Sequence, residues 1–254
     1  MNTTEAFSQL GVSSDALTEQ QRHELDENGY FIAYNALAPK DVEAIGTAID
    51  ALQAEEGQMG GQEVHTEAGA PRLSNVLNKS TAFDACLEIK PLLASAQYLL
   101  GPEIQVHGFN ARDATPGQGH QPLHSDAPRH EPEDWHVVNS LILIDAFTAE
   151  NGPTRVVPGT HKTGGRPQED LADPKAPYPG EIKVTAPAGS VVILNASTWH
   201  GGTLNISGDR RRVLHLSYTR RDLPQQLVQQ EYLTPELYNR MSDAHRYLLN
   251  ITEA

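Results

Sequence analysis

The spacing of apolar positions changes character near residue 100. Before it, Val42, Ile45, Ile49 and Leu52 recur at helical intervals. They predict an amphipathic helix that opens at Pro39, carries Asp41 near its positive end and runs to about Glu56. Thr18 followed three residues later by Gln21 has the form of a capping box, and Asn28-Gly29 ends the helix it opens. Tyr30 to Ala33 reads as a short strand. A Gly-rich segment, Gly57 to Pro71, breaks the pattern. Thr81 to Leu100 returns to a helical period, interrupted by Pro91 and closed by Gly101.

After Gly101 short β-type runs alternate with Gly/Pro turns: Ile104 to Phe109, Val137 to Ile144, Arg155 to Val157, Glu181 to Val184, Ser190 to Leu194 and Val213 to Tyr218. Such spacing predicts an antiparallel sandwich or barrel. Thr234 to Leu249 is helical again. Helices first and strands later give an α+β, mainly β, fold with helices packed on one face of the sheet. Two long connections stand out, Ala127 to Trp135 and Lys162 to Gly180; loops of this length are expected to act as lids. Arg129, His130, Trp135 and Tyr178 on them are candidates to face a substrate.

Composition narrows the partners. The 254 residues carry 19 Lys+Arg against 33 Asp+Glu, a net charge of −14. That balance repels a phosphate backbone and argues against nucleic acid or an anionic membrane as main partner. One cysteine, Cys86, excludes an internal disulfide framework or multi-cysteine zinc module and fits a reducing compartment. The N-terminus has neither the basic region nor the apolar run of a signal peptide, and no stretch approaches the roughly 20 apolar residues of a membrane span. A cytoplasmic protein acting on a small molecule is expected. The 11 histidines invite a search for a metal site.

The search finds Pro122-Leu123-His124-Ser125-Asp126. On extended backbone, residues two apart share a face, so His124 and Asp126 face one ion together. His200, in Ser197-Thr198-Trp199-His200-Gly201, is a third candidate ligand, beside a Gly201-Gly202 pair read as permitting a tight turn. Two histidines and one carboxylate on one side of a metal suit non-haem Fe(II) and leave three positions open. The run Asp209-Arg210-Arg211-Arg212-Val213-Leu214-His215-Leu216 adds cations. Alternation puts Arg211, Val213, His215 and Ser217 on one face and Arg210, Arg212, Leu214 and Leu216 on the other. An arginine entering the sandwich needs an anionic partner, and a dicarboxylate supplies one through a bidentate pair. Arg210 and Arg212 are expected in surface ion pairs.

These residues resemble the phytanoyl-CoA dioxygenase family of Fe(II)/2-oxoglutarate oxygenases. The resemblance rests on His124-x-Asp126, His200, an arginine eleven residues later, Asn151-Gly152-Pro153-Thr154-Arg155-Val156-Val157-Pro158-Gly159-Thr160-His161-Lys162, Leu17-Thr18-Glu19-Gln20-Gln21, Glu27-Asn28-Gly29-Tyr30 and Gly189-Ser190-Val191. It runs from about residue 17 to about 220. It implies a double-stranded β-helix, a cupin-like jelly roll, as one domain over 1–254: a mostly helical part over 1–100, the β-helix core over 101–222 and a helical tail over 223–254. It implies His124, Asp126 and His200 as iron ligands, Arg211 for the distal carboxylate of 2-oxoglutarate, and Asn110 and Arg72 as further co-substrate contacts. In related halogenases the carboxylate position is a small residue, so Asp126 favours hydroxylation with O₂. Leu141 stands where some relatives carry a tryptophan, and Gly202 where some carry a hydroxyl residue.

Two other readings compete. A cupin-like metalloenzyme without 2-oxoglutarate would leave Arg211 unexplained and lacks the extra histidine and glutamate ligands usual there. A non-catalytic ligand-binding sandwich would make the His/Asp/His set a coincidence. His161 and Trp199 are expected to be structural, His107 and His215 to line a pocket or sit in the core, and Cys86 to be a small buried hydrophobe.

Overall fold

A computed structural model describes residues 1–13, 15–127 and 134–253. Most of the first expected lid, with Arg129 and His130, lies outside these. The helices are α1 Thr3–Gln9, α2 Glu19–Asn28, α3 Pro39–Glu56, α4 Val76–Lys79, α5 Lys90–Leu100, α6 Pro167–Asp170, α7 Pro235–Arg240 and α8 Asp243–Leu249. The strands are β1 Tyr30–Ala33, β2 Arg72–Leu73, β3 Ile104–Asp113, β4 Val137–Leu143, β5 Thr154–Val156, β6 Ile182–Lys183, β7 Val191–Asn195, β8 His200–Gly202 and β9 Arg212–Arg220. The capping box at Thr18 forms in both directions, and Gly29 ends α2 in the left-handed region. α3 has the bounds expected from its apolar spacing.

Six strands form one antiparallel sheet in the order β1-β7-β4-β9-β3-β2, and three form a second in the order β6-β5-β8. Together they make the jelly roll, with helices on the outer face of the larger sheet. The pleat divides each central strand between two environments. Leu214, Leu216 and Tyr218 of β9, Val138 and Ile142 of β4 and Val191 and Ile193 of β7 pack outward with Ile45, Ile49, Leu92 and Leu93 of α3 and α5. Val213, Leu141, Leu143, Val192 and Leu194 point inward with Phe147, Val156 and Val184. The N-terminal part is not purely helical: β1 pairs with β7 and β2 with β3, so both are strands of the larger sheet.

Five elements went unpredicted: α1, β2, α4, α6 and β8, of which α4 and α6 are single turns of four residues. α1 lacks an apolar period long enough to register, and β2 and β8 are too short to show alternation. The strand expected over Ile104 to Phe109, with Asn110 at its end, runs further: β3 continues to Asp113. Gly201 and Gly202 do not make a turn. They lie in β8, where a Cβ on Gly201 would sit 2.7 Å from the Pro122 carbonyl oxygen and one on Gly202 2.8 Å from that of Gly119. Close backbone approach therefore requires the glycines and leaves no room for a hydroxyl side chain at Gly202.

The connection 162–180 is tethered. Arg155, 2% exposed, donates from Nη1 to the Ala176 carbonyl (2.8 Å) and from Nη2 to that of Pro174 (2.9 Å). Leu123 N–H donates to Pro174 O at 2.7 Å, and Trp199 Nε1 to Gly165 O at 3.1 Å. Tyr178 packs edge-on against Trp199.

Candidate active site

The segment at His124 runs antiparallel to β8. His124 and His200 exchange both backbone hydrogen bonds at 2.9 Å. Their side chains emerge on the same side, ring centroids 4.4 Å apart. Each Nδ1 lies against a carbonyl two residues back, His124 against Pro122 O (2.9 Å) and His200 against Thr198 O (2.8 Å). A ring whose Nδ1–H donates to a carbonyl presents its Nε2 lone pair, the arrangement that orients metal-ligating histidines. Both Nε2 atoms point at one carboxylate: His124 Nε2 is 3.5 Å from Asp126 Oδ1 and His200 Nε2 3.4 Å from Asp126 Oδ2. Ligand atoms from all three residues lie within 4.8 Å of one another, and no other such group occurs among the described residues. Asn139 Nδ2 donates to Asp126 Oδ2 at 2.8 Å and fixes the carboxylate. Burial works against the Asp126 charge, but His200, His124 and Asn139 outweigh it and hold the carboxyl well below the usual range.

The three residues open into a cavity of about 290 Å³. Asn110, Arg72 and Arg211 line it, so all six residues singled out in the sequence meet there. His107, His215, Ser217, Asn139, Leu141 and Thr154 complete much of the wall. A bulge between Val106 and Gly108 adds a residue to β3, which lets His107 share the cavity with Asn110 and Arg112 despite the odd spacing. Trp135 and Tyr178 are not among the described lining residues. Trp135 stacks against His161 and Tyr178 against Trp199, so both serve packing.

Arg211 is 1% exposed, and its Nε and Nη2 have no hydrogen-bond partner. Its guanidinium lies 4.8 Å from the Phe147 ring centroid. Burial, reinforced by the Arg112 charge, pushes it down to about 9. Its neighbours behave as alternation requires. Arg210 pairs with Asp113 and Asp50, and Arg212 with Asp145 and Asp50, on the opposite face. Asn110 donates from Nδ2 to Gln226 Oε1 (2.9 Å) and leaves a buried Oδ1 unpartnered. His215, against Arg72 and Arg112, is pushed well below its usual range by burial first and then by those charges, so it stands neutral with Nε2 unpartnered.

Sequence reasoning missed Asn139, Arg112, Gln226 and Glu67. A signal existed for the first two: each is polar at an inward position of a strand. Glu67 lies in the Gly-rich segment, where no periodicity marks which side chain turns inward.

A jelly roll that gathers two histidines and a carboxylate in one cavity with an unpartnered arginine defines a candidate metal centre. The phytanoyl-CoA dioxygenase family profile matches residues 25–213, and the chain belongs to that family. It is 31% identical over 166 residues to dioxygenase af480 of Aspergillus fumigatus, a match covering 59% of this chain and 51% of that protein. It is 28% identical over 247 residues to L-proline trans-4-hydroxylase of Streptomyces griseoviridis, covering 83% and 89%. The chain thus spans about half the length of the first relative and most of the second. Among solved structures, HygX from Streptomyces hygroscopicus with nickel and 2-oxoglutarate bound superposes with a TM-score of 0.67 at 15% identity, over 82% of this chain and 89% of HygX. That likeness concerns the fold.

Proposed function

We propose that this protein is an Fe(II)- and 2-oxoglutarate-dependent dioxygenase that hydroxylates a C–H bond of a small organic molecule while 2-oxoglutarate becomes succinate and CO₂. One observation carries the reading: the three-ligand face and the unpartnered buried Arg211 share one cavity. The donor set fits a non-haem iron. The orphaned guanidinium fits a carboxylate that does not itself bind the metal. A metalloenzyme that does not use a dicarboxylate has no need for the second feature.

In this reading His124, Asp126 and His200 hold the iron. With iron and 2-oxoglutarate bound, the site gains the means to activate O₂ for C–H oxidation. The carbonyls of Pro122 and Thr198 keep both imidazoles in the ligating tautomer, and Asn139 keeps Asp126 in place. Arg211 takes the distal carboxylate of 2-oxoglutarate. Asn110 offers an amide further along the same wall. Arg72 lines the cavity but commits Nε and Nη2 to Glu67. Val137 and Leu141 give an otherwise polar wall an apolar stretch.

The same reading takes residues 1–254 as one domain. In its support, β1 and β2 pair into the sheet built by later strands, and Thr3 Oγ1 of α1 lies 3.3 Å from the Tyr247 hydroxyl of α8. It also places the protein in the cytoplasm with a small-molecule substrate and no nucleic-acid partner. Support comes from the charge of −14 and the fully buried Cys86. No helix among the described residues is long and apolar enough to cross a membrane. Anaerobic titration with Fe(II) and 2-oxoglutarate tests the function. A weak visible metal-to-ligand charge-transfer band is expected, and its absence argues for chemistry without 2-oxoglutarate.

A further inference from the structure

Two guanidiniums at the cavity share one carboxylate. Arg72 donates from Nε and Nη2 to Glu67 Oε2 at 2.9 and 2.5 Å. Arg112 donates from Nε to Oε2 at 3.0 Å and from Nη2 to Oε1 at 2.6 Å. Both are withdrawn from water, with side-chain exposures of 10% and 2%. The pairing is tight, yet it sets two positive charges against one negative charge.

Of the other charges facing this region, the buried Asp113 acts on Arg211, but it is already paired with Arg210 and does not reach the Arg72–Arg112 pair. Arg211 adds a third cation without a hydrogen-bond partner on Nε or Nη2. Asp126 is held between two histidines and Asn139. Resting on the reading above, the distal carboxylate of 2-oxoglutarate meets Arg211, while its other carboxylate and Asp126 meet the iron. One positive charge of the Arg72–Arg112 pair is then still unmet. A buried charge without a counter-charge is strongly disfavoured, so a bound anion gains most at that point.

Of the two arginines, Arg72 is the one placed to receive it. Arg112 spends Nη2 a second time on the Gly119 carbonyl (3.0 Å), and its Nη1 lies against Gly202, 3.3 Å from where a Cβ there would stand. Arg72 makes no hydrogen bond from Nη1 among the described residues. Arg72 also borders a second cavity of about 420 Å³, lined by Gly57, Glu67, Gly69 and Thr115. It therefore stands between the metal cavity and a neighbouring space.

We propose that Arg72 docks a carboxylate of the substrate, with Glu67 and Arg112 holding its guanidinium in place, and that the enzyme acts on small carboxylic acids. Arg72 is then a specificity residue for the substrate and not a ligand of 2-oxoglutarate.

The test uses the full chain loaded with Zn(II), which does not turn over, and 2-oxoglutarate. It is titrated calorimetrically with L-proline and with straight-chain monocarboxylic acids of three to six carbons, each beside its primary amide. At least one acid is expected to bind, with its amide about tenfold weaker or worse, as loss of a charge-assisted pair requires. Arg72→Gln should bring that acid down to the level of its amide while the 2-oxoglutarate Kd stays within about threefold. Arg72→Lys keeps the charge and should keep the preference for acid over amide, with weaker binding, because an ammonium does not reproduce the planar fork. Equal binding of acids and amides, no binding of any acid, or an Arg72→Gln variant that loses 2-oxoglutarate instead of the acid each overturns the proposal. A wild type that binds an acid but not 2-oxoglutarate leaves the carboxylate site standing and removes the dioxygenase reading.

Discussion

The two faces of β9 are built to opposite specifications. Outward, Leu214, Leu216 and Tyr218 are buried against helices, and Arg212 closes the end of the strand with Asp145 and Asp50. Charges there are matched and apolar groups are covered, although the buried Tyr218 hydroxyl has no hydrogen-bond partner. Inward, beyond Val213, Arg211 leaves two nitrogens without partners and His215 leaves one. Groups of that kind cost stability unless a ligand completes them. The outer face holds the sheet to its helices, and the inner face holds unmet polarity in place for something that binds.

The comparison breaks first at the metal. Asp126→Ala should reduce turnover to background and lower bound iron, while the melting temperature of the metal-free protein barely moves. The carboxylate lies at the cavity, one third exposed, and is not core packing. Normal turnover in this variant would remove the ligand assignment.

On the outer face the prediction reverses. Leu214→Ala should cost about 2–5 kcal/mol of folding stability, as for large-to-small changes in a packed core. The 2-oxoglutarate affinity of the folded fraction should be unaltered. Denaturant unfolding paired with a binding titration separates the two, and a stability loss below about 1 kcal/mol would mean the face is not tightly packed.

The sharpest contrast lies between adjacent residues. Arg211→Ala removes a charge-assisted pair of about 1.5–3 kcal/mol, so 2-oxoglutarate affinity should fall from tenfold to about a hundredfold or somewhat more. Arg211→Lys should recover part of it, and 2-oxo acids without a distal carboxylate should lose their disadvantage in Arg211→Ala. Arg210→Ala should leave the affinity within about twofold, because Arg210 pairs with Asp113 and Asp50 on the face away from the ligand. A large effect at Arg210 with none at Arg211 would shift the functional face by one residue.

The smallest effect concerns acid. Burial raises the Glu67 carboxyl, but Arg112 and Arg72 overcome it and hold it at about 2, below its ordinary 4.5. A depressed carboxyl stabilises the fold fully above its unfolded value and loses that contribution as pH falls through the folded one. Stability should therefore decline between about pH 4.5 and 2, and Glu67→Gln should flatten that part of the profile. An unchanged profile would show that the two arginines do not depend on Glu67.

What the sequence determined by itself is what local rules govern. The period of Val42, Ile45, Ile49 and Leu52 and the position of Pro39 set α3 within its observed bounds. Thr18 and Gln21 set the start of α2. The two-residue period of the run Arg210 to Leu216, which leads into β9, places Arg211 opposite Arg210 and Arg212. His124, Asp126, His200 and Arg211 were legible because their order and spacing are themselves the motif. Tertiary structure alone decided the rest. Glu67 meets Arg72 five residues away but Arg112 forty-five away, and Asn139 reaches Asp126 across thirteen residues and a change of strand. The 162–180 connection is expected to be a lid from its length, but it is tied down by Arg155 through backbone carbonyls that no side-chain pattern reveals. Periodicity records which face a residue occupies; only the closing of two sheets on one another decides which charges end up facing, and which of them are left unmet.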